Sequence, residues 1–285
     1  MSLFGILNIG KQGLLAHQKA INTTANNIAN VNTPGYTRQR AVFVPTAPAI
    51  APDGTPLGGG VRMERVERIV DAALDSQLLR ERQRLGFDQR METGLDRLEG
   101  IFDELSDTGI SSSLRDFFNS IQDLSSDAGD TQREMVVQTG LTLTEQIRDV
   151  DRRMDQLQTD ANLSIEQVVG EINELVQQVA SFNGSIFNAE GAGQPASALR
   201  DARSAVLTEL AEKIDFTTFE RDDGNVAVFV AGGFLLVDQT AAGQLDLRPR
   251  GSGPDPEFFE IDQNFGGANA GPLTSLISGG DLGGL

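Results

Sequence analysis

The sequence predicts a mainly α-helical protein with a smaller β segment: long, antiparallel, coiled-coil-like helices followed by a C-terminal β-hairpin subdomain. Three observations carry this expectation. Leu7, Leu14, Ile21 and Ile28 recur every seven residues, the spacing of one seam along one helix. The apolar series Leu143, Ile147, Val150, Met154, Leu157, Ala161, Ile165, Val168, Ile172, Leu175, Val179, Phe182 and Ile186 advances only by threes and fours, as one face of a helix requires. From Ile214 onward the period drops to two, with Val226, Val228 and Val230 alternating with neighbours of the opposite face, the signature of a strand.

The N-terminal unit is assigned to residues 1–36. Leu3, Phe4, Ala25 and Val31 lie close to the Leu7–Ile28 seam, while Asn8, Lys11, Gln12, Gln18, Lys19, Asn22 and Thr23 occupy the other faces. Such a helix is not buried all round within its own domain and is expected to order against a partner helix. Its end is marked by Asn26, Asn27, Asn30 and Asn32, then by Pro34-Gly35. Asparagine tolerates the left-handed cap conformation, and proline disfavours the helical region at the residue before it. Pro34-Gly35 also fits a turn with proline second and glycine third.

Residues 37–65 are read as an extended connector, because Pro45, Pro48, Pro52 and Pro56 and the Gly58-Gly59-Gly60 run fall in it. Residues 66–213 are read as a long-helix shaft. A helix is expected from Val66 to Leu105, with Met91, Leu95, Leu98, Phe102 and Leu105 on one face and the charges on a solvated one. Ser106 to Ser112 breaks it, and a shorter helix from Leu114 to Leu124 is expected to bury Phe117, Phe118 and Ile121. The Leu143–Ile186 series then implies a rod of roughly 65 Å. Two fours adjoin at Leu157-Ala161-Ile165, a stutter that predicts a straighter stretch or a slight kink near Ala161.

The last unit, residues 214–285, is read as β-rich with a tail. Asp222-Asp223-Gly224-Asn225 makes a turn between two strands, and Gly232-Gly233 makes the next before Phe234–Val237. The aspartate pair lacks the spacing of a calcium loop and is assigned to turn chemistry.

Composition removes several classes of function. The 23 basic residues against 41 acidic ones give a net charge of −18, which opposes a nucleic-acid groove or an anionic membrane surface as the main partner. Cysteine is absent and His17 is the single histidine, so disulfides, thiolate zinc sites and cysteine nucleophiles are excluded. A serine triad would have to draw its base from an N-terminal helix without a nucleophile elbow nearby, and His17 is read as one more polar position there. No stretch is long and apolar enough to span a bilayer. The N-terminus lacks the basic and apolar regions of a cleaved signal peptide. Trp is absent and Tyr36 is the single tyrosine, which leaves a glycosidase without platforms for sugar stacking. No catalytic, cofactor-binding or metal-binding residue is assigned.

The string Ala25-Asn-Asn-Ile-Ala-Asn-Val-Asn-Thr-Pro-Gly-Tyr-Thr-Arg38 resembles the N-terminal signature of the bacterial flagellar rod, hook and hook-associated axial proteins. Gly60–Arg68, Ile69-Val70-Asp71 and Gln77–Arg80 resemble a second block of the hook-associated branch of that family, which forms the hook–filament junction. Leu199–Leu210 resembles a further block, with Arg200-Asp201-Ala202-Arg203 in place of the family's usual Asp-Gln-Arg-Asp. The shaft helix favours this branch, since the rod and hook members are largely β after their first helix.

The resemblance implies a subunit of an extracellular tube, exported unfolded through the flagellar type III apparatus with an uncleaved signal. It implies a first helix that pairs with a C-terminal helix to line the tube. Leu7, Leu14, Ile21, Ile28, Asn27, Asn30, Asn32, Pro34, Gly35 and Tyr36 are the expected assembly-interface residues. The implied partners are further copies in a ring, the hook protein, a second hook-associated junction protein and an export chaperone. The glycine-containing ending Ser278–Leu285 resembles the block that precedes the family's return helices. The chain is therefore expected to be the N-terminal portion of a longer protein, without the chaperone's usual C-terminal docking site. Three other readings stand beside this one: another flagellar axial protein of the rod or hook, a cytoplasmic coiled-coil adaptor, which leaves the asparagine motif unexplained, and a hydrolase.

Overall fold

The protein is described here from a computed structural model, which covers residues 3–50, 56–102, 109–250 and 258–285. Helix α1 spans Leu3–Ala29. Its end departs from the expected asparagine cap, because among the described residues the non-glycine positions with positive φ are Ala231 and Gln239. Asn30 instead caps through its side chain, donating from Nδ2 to the Asn26 carbonyl at 2.9 Å and to Asn26 Oδ1 at 2.8 Å. A side-chain amide that satisfies a last-turn carbonyl removes the need for a left-handed residue. The Pro34-Gly35 turn forms as expected, with Gly35 at φ 77° and the Tyr36 amide donating to the Thr33 carbonyl at 3.2 Å.

Residues 37–65, expected as an irregular connector, contain paired strands. β1 (Gln39–Pro45) and β4 (Val61–Arg68) form an antiparallel ladder with an irregularity between Val42 and Phe43. β2 (Ala49–Ile50) and β3 (Pro56–Leu57) form a two-residue pair between them. Pro45 sits at the end of the β1–β4 ladder, where a missing N–H costs little. Pro52 lies outside the described residues. We refer to α1 and β1–β4 together as the arm.

Helix α2 spans Ala72–Phe102 and so begins later than the expected Val66. Val66, Glu67 and Arg68 are the last rungs of β4, opposite Ala41, Arg40 and Gln39. Asp71 then caps α2, its Oδ1 accepting from the amides of Ala73 at 3.0 Å and Leu74 at 3.2 Å. The expected end at Leu105 lies outside the described residues.

Helix α3 (Ile110–Ser126) turns back onto α4 (Asp130–Gly191), a single 62-residue helix about 90 Å long. α4 runs unbroken through Ala161. The α3–α4 contact is polar at its centre, where the Ser120 and Thr139 hydroxyls lie 2.9 Å apart and Ser113 and Ser120 are the buried α3 residues. This corrects the expectation for α3: Phe118 is 59% and Ile121 39% exposed, and Phe117 alone of the three is half-buried. Met135, Val137, Leu141 and Ile147 of α4 are likewise exposed.

The core gathers around the C-terminal third of α4. Ile172, Val176 and Val179 pack with Leu210 and Ile214, at the end of α5 (Ser197–Lys213), all with no solvent exposure. The four-stranded antiparallel sheet β5 (Phe216–Glu220), β6 (Val226–Val230), β7 (Phe234–Asp238) and β8 (Ala241–Ala242) adds Val228, Val230, Leu236 and Val237. Both expected hairpins are present, Thr218 facing Val228 and Val230 facing Phe234.

A three-stranded sheet that the alternation did not announce follows: β9 (Gln244–Arg250), β10 (Phe258–Phe265) and β11 (Ala268–Pro272). It delivers Leu245 and Ile261 to the same core, and Leu273, just past β11, joins them. A 3₁₀ turn at Thr274–Leu276 leads to α6 (Gly280–Gly283), whose Leu282 is 6% exposed.

Candidate assembly interface

The faces of α1 are inverted relative to an ordinary surface helix. The side against β1 and β4 is mostly small and polar: Ala16 is 4% exposed, and Gln12, Ala20, Thr23 and Asn27 are half-buried, joined by one aliphatic residue, Ile9, beside Gly60. The apolar seam points the other way, with Leu7 60%, Leu14 71%, Ile21 68% and Ile28 69% exposed. His17 sits beside β1, its ring 5.4 Å from that of Phe43. A helix that packs its polar side internally and leaves four large aliphatic side chains in water presents a surface suited to another apolar element.

The motif residues after the seam divide by role. Asn27 donates from Nδ2 to the Gln39 carbonyl at 2.8 Å and accepts the Gln39 amide on Oδ1 at 2.9 Å. Its side-chain amide thus imitates a neighbouring strand for the first residue of β1. Tyr36 completes the set by donating its hydroxyl to Asn27 Oδ1 at 2.9 Å. Withdrawal from water, and then the negative charge of Asp201, raise the Tyr36 phenol above its ordinary pKa, so it stays a donor. Asn30 holds Asn26 and accepts the Thr33 hydroxyl at 3.3 Å. Asn32, Pro34 and Gly35 are exposed at the turn itself. The structure therefore brings Asn27 and Tyr36 together and places Leu7, Leu14, Ile21 and Ile28 on a separate, outward face.

A second cluster fixes the arm to α5, and its roles were not read from the sequence. Asp201 Oδ1 lies 2.8 Å from Arg68 Nη2, with both side chains 12% exposed. Asp201 Oδ2 accepts the Thr37 amide at 3.4 Å, and Arg68 also donates to the hydroxyls of Thr37 at 3.1 Å and Ser204 at 3.4 Å. On either side of Asp201, Arg200 makes a fork to Glu190 at 2.9 and 3.1 Å and reaches Glu220. Arg203, 3% exposed, donates to Asn183 Oδ1 at 2.8 Å and the Gly224 carbonyl at 2.7 Å. Burial lowers the Arg203 pKa without approaching neutrality for a guanidinium. The available signal was three charges, Arg200, Asp201 and Arg203, placed inside an apolar helical run.

Among the described residues there is no group of three or more His, Asp or Glu side chains placed to hold a metal ion, and no helix long and apolar enough to cross a membrane.

The fold thus sets an exposed apolar α1 on a β-arm and joins that arm to a long helical shaft. Residues 7–37 match the family model described as flagella basal body rod protein, and residues 95–285 match that of the flagellar hook-associated protein FlgK helical domain. Flagellar hook-associated protein 1 of Bacillus subtilis is 30% identical over 98% of this chain and 56% of its own length. The Salmonella typhimurium protein of the same name is 30% identical over 98% of this chain and 51% of its own. The structure of the flagellar hook junction protein FlgK from Burkholderia pseudomallei superposes with a TM-score of 0.63 at 23% identity, covering 73% of this chain and 38% of that one. The chain belongs to the flagellar hook-associated protein 1 (FlgK) family. It spans about half the length of the curated relatives it matches.

Proposed function

We propose that this chain is part of a structural subunit of the bacterial flagellum, an extracellular protein that joins hook to filament by self-assembly through its N-terminal helices. The observation that carries the reading is the outward seam of α1, four aliphatic residues each at least 60% exposed on a helix whose inner side is already occupied. Copies arranged as a ring would bury it. The hook protein on one side, a second hook-associated protein on the other and an export chaperone before assembly are the partners this role requires. It requires no bond-making chemistry, and mechanical mismatch between hook and filament is taken up by sliding contacts between packed helices.

The test is Leu14→Asp or Ile21→Asp in the full-length protein. Both should abolish junction assembly while leaving export and the shaft fold intact, and normal filaments on the variants would overturn the reading. A hydrolase or a cytoplasmic adaptor would be unaffected by loss of the flagellar export gate; this protein should leave the cell only when the gate works.

A further inference from the structure

We infer that Asp201 and Arg68 form a positioning latch that sets the angle of the arm on the shaft. Three sequence blocks that are far apart in the chain converge on it: the turn ending at Thr37, the end of β4 at Arg68, and α5 at Asp201 and Ser204. The principal contact between the arm and the rest of the molecule is that of β4 with α5. Within the arm, α1 packs on β1 and β4, so it is held together by its own contacts. The body likewise has a core of its own in α4, α5 and the sheets. Among the described residues the arm has one that is fully buried, Ala16, covered within the arm itself, so neither unit draws its buried residues from the contact between them.

The surroundings of the ion pair suit a latch. On one side lies an open cleft of about 720 Å³ between the arm, at Lys19 and Arg65, and the α4–α5 loop at Gln194. On the other lies one of about 370 Å³ between the Gly35–Thr37 turn, α2 at Asp75 and α5 at Thr208. Space on both sides leaves room for the arm to pivot about the stretch 69–71, which joins β4 to α2 outside any helix or strand. Against that freedom stand the carboxylate of Asp201 and the guanidinium of Arg68. They are mutually ionic at 2.8 Å and each also holds Thr37, at its amide and its hydroxyl. Two opposite charges 2.8 Å apart at 12% exposure attract each other more strongly than an exposed surface pair does. The latch fixes orientation because it grips the arm at two places, the Thr37 amide just before β1 and the Arg68 side chain at the end of β4.

The inference extends the assembly reading, since the arm carries the α1 seam, but its test does not depend on assembly. The chain contains no cysteine, so Gln18→Cys on α1 and Ser185→Cys on α4, both exposed positions, can be spin-labelled cleanly and their separation measured by pulsed dipolar spectroscopy. The parent should give one narrow distance distribution, and Asp201→Ala and Arg68→Gln should each lose it to a broad one while circular dichroism and the urea midpoint of the body stay at parent values. A narrow distribution in the variants, a broad one in the parent, or a loss of helical signal in the variants would each overturn the latch. The last would make the pair an element of stability and not of position.

Discussion

Arg203 of α5 donates to Asn183 of α4 across 2.8 Å in the interior, where Asn183 has no exposure and Arg203 3%. Asn183 is itself a bracket: it accepts the Val226 amide at 3.1 Å and donates to the carbonyls of Val226 and Gln239, both at 2.8 Å. One side chain therefore joins two helices to β6 and the turn after β7. Asn183→Ala removes every one of these contacts and leaves the Arg203 charge with Gly224 and the half-exposed Glu220. Leaving a buried charged donor and backbone groups without their hydrogen-bond partner costs at least about 1–3 kcal/mol. Urea unfolding should show that loss, and a change under about 1 kcal/mol would mean that water replaces the amide.

Two glycines test whether close approach or backbone conformation governs the fold. Gly280 lies at φ 70°, and a Cβ there would meet the Ile214 amide nitrogen at 2.3 Å. Gly35 lies at φ 77° with open space around it, its nearest neighbour being the Ala205 Cβ at 4.0 Å. Gly35→Ala should cost only the left-handed backbone penalty, roughly 1 kcal/mol. Gly280→Ala should cost more, because α6 cannot seat against α5 without moving its backbone. Thermal melts of the two variants rank them directly, and an equal or reversed ranking would refute the argument.

The pair of Lys213 and Glu171 predicts a pH dependence. Lys213 Nζ lies 2.7 Å from Glu171 Oε2 and 3.7 Å from Asp281 Oδ2. Hydrogen bonds from Lys213, and then Gln167, hold the Glu171 carboxyl below its ordinary pKa. A lowered folded pKa means that the contribution is complete above the ordinary glutamate value and is lost as pH falls through the folded one. For Lys213, burial opposes the charge, but Glu171 and Asp281 outweigh it and raise the pKa, so its part is lost only in strongly alkaline solution. With 36% of the Glu171 side chain exposed, screening keeps the effect small. Glu171→Gln should lower the urea midpoint slightly at neutral pH, and the gap from the parent should close as pH drops below about 4.3. A gap that widens in acid would contradict the assignment.

The Asn27 bracket is a local device and should behave as one. Asn27→Ala frees the Gln39 amide and carbonyl and the Tyr36 hydroxyl together, a loss of about 1–2 kcal/mol confined to the arm. Hydrogen exchange should speed up at Gln39 and along β1 while the α4–α5 core keeps its protection. Uniform acceleration throughout the chain would show that arm and body unfold as one unit.

What the sequence made legible was whatever repeats. The three-four stepping gave α4, although only its C-terminal third, from Val168 on, finds a core. The same stepping in α2 marks Met91, Leu95 and Phe102, which are 40%, 56% and 43% exposed, so periodicity reports a face and not what covers it. β10 escaped because Asp262 and Gln263 occupy consecutive buried positions. Gln263 reaches across to the Leu235 carbonyl at 2.6 Å and Asp262 meets Arg248 at 3.2 Å. Polar residues satisfied by long-range partners are invisible to a count of alternating apolar ones. The α2 start was misplaced because Val66, Glu67 and Arg68 suit a helix as well as a strand, and pairing with β1 decides between them. In the site, the seam and the turn were readable from spacing and proline-glycine chemistry. The Asn27–Gln39 bracket and the Arg68–Asp201 pair were not, since they depend on contacts set by the fold.

The two faces of α1 give the last prediction. Ala16, 4% exposed, faces β4 near Met63, whereas Leu14, two residues earlier and 71% exposed, belongs to the seam. Ala16→Asp would place a carboxylate without a partner at the arm's inner contact, a cost of roughly 2–3 kcal/mol in a unit with no other fully buried residue among those described. The arm should then lose hydrogen-exchange protection in β1 and β4. Leu14→Asp meets only water in the isolated chain, so its effect on stability should stay within about 0.5 kcal/mol and its solubility should rise. The two variants carry the same new charge on the same helix, which isolates the face as the variable. Protection lost on Leu14→Asp and retained on Ala16→Asp would mean that the seam is the inner side of α1, and the assembly surface would have to be sought elsewhere.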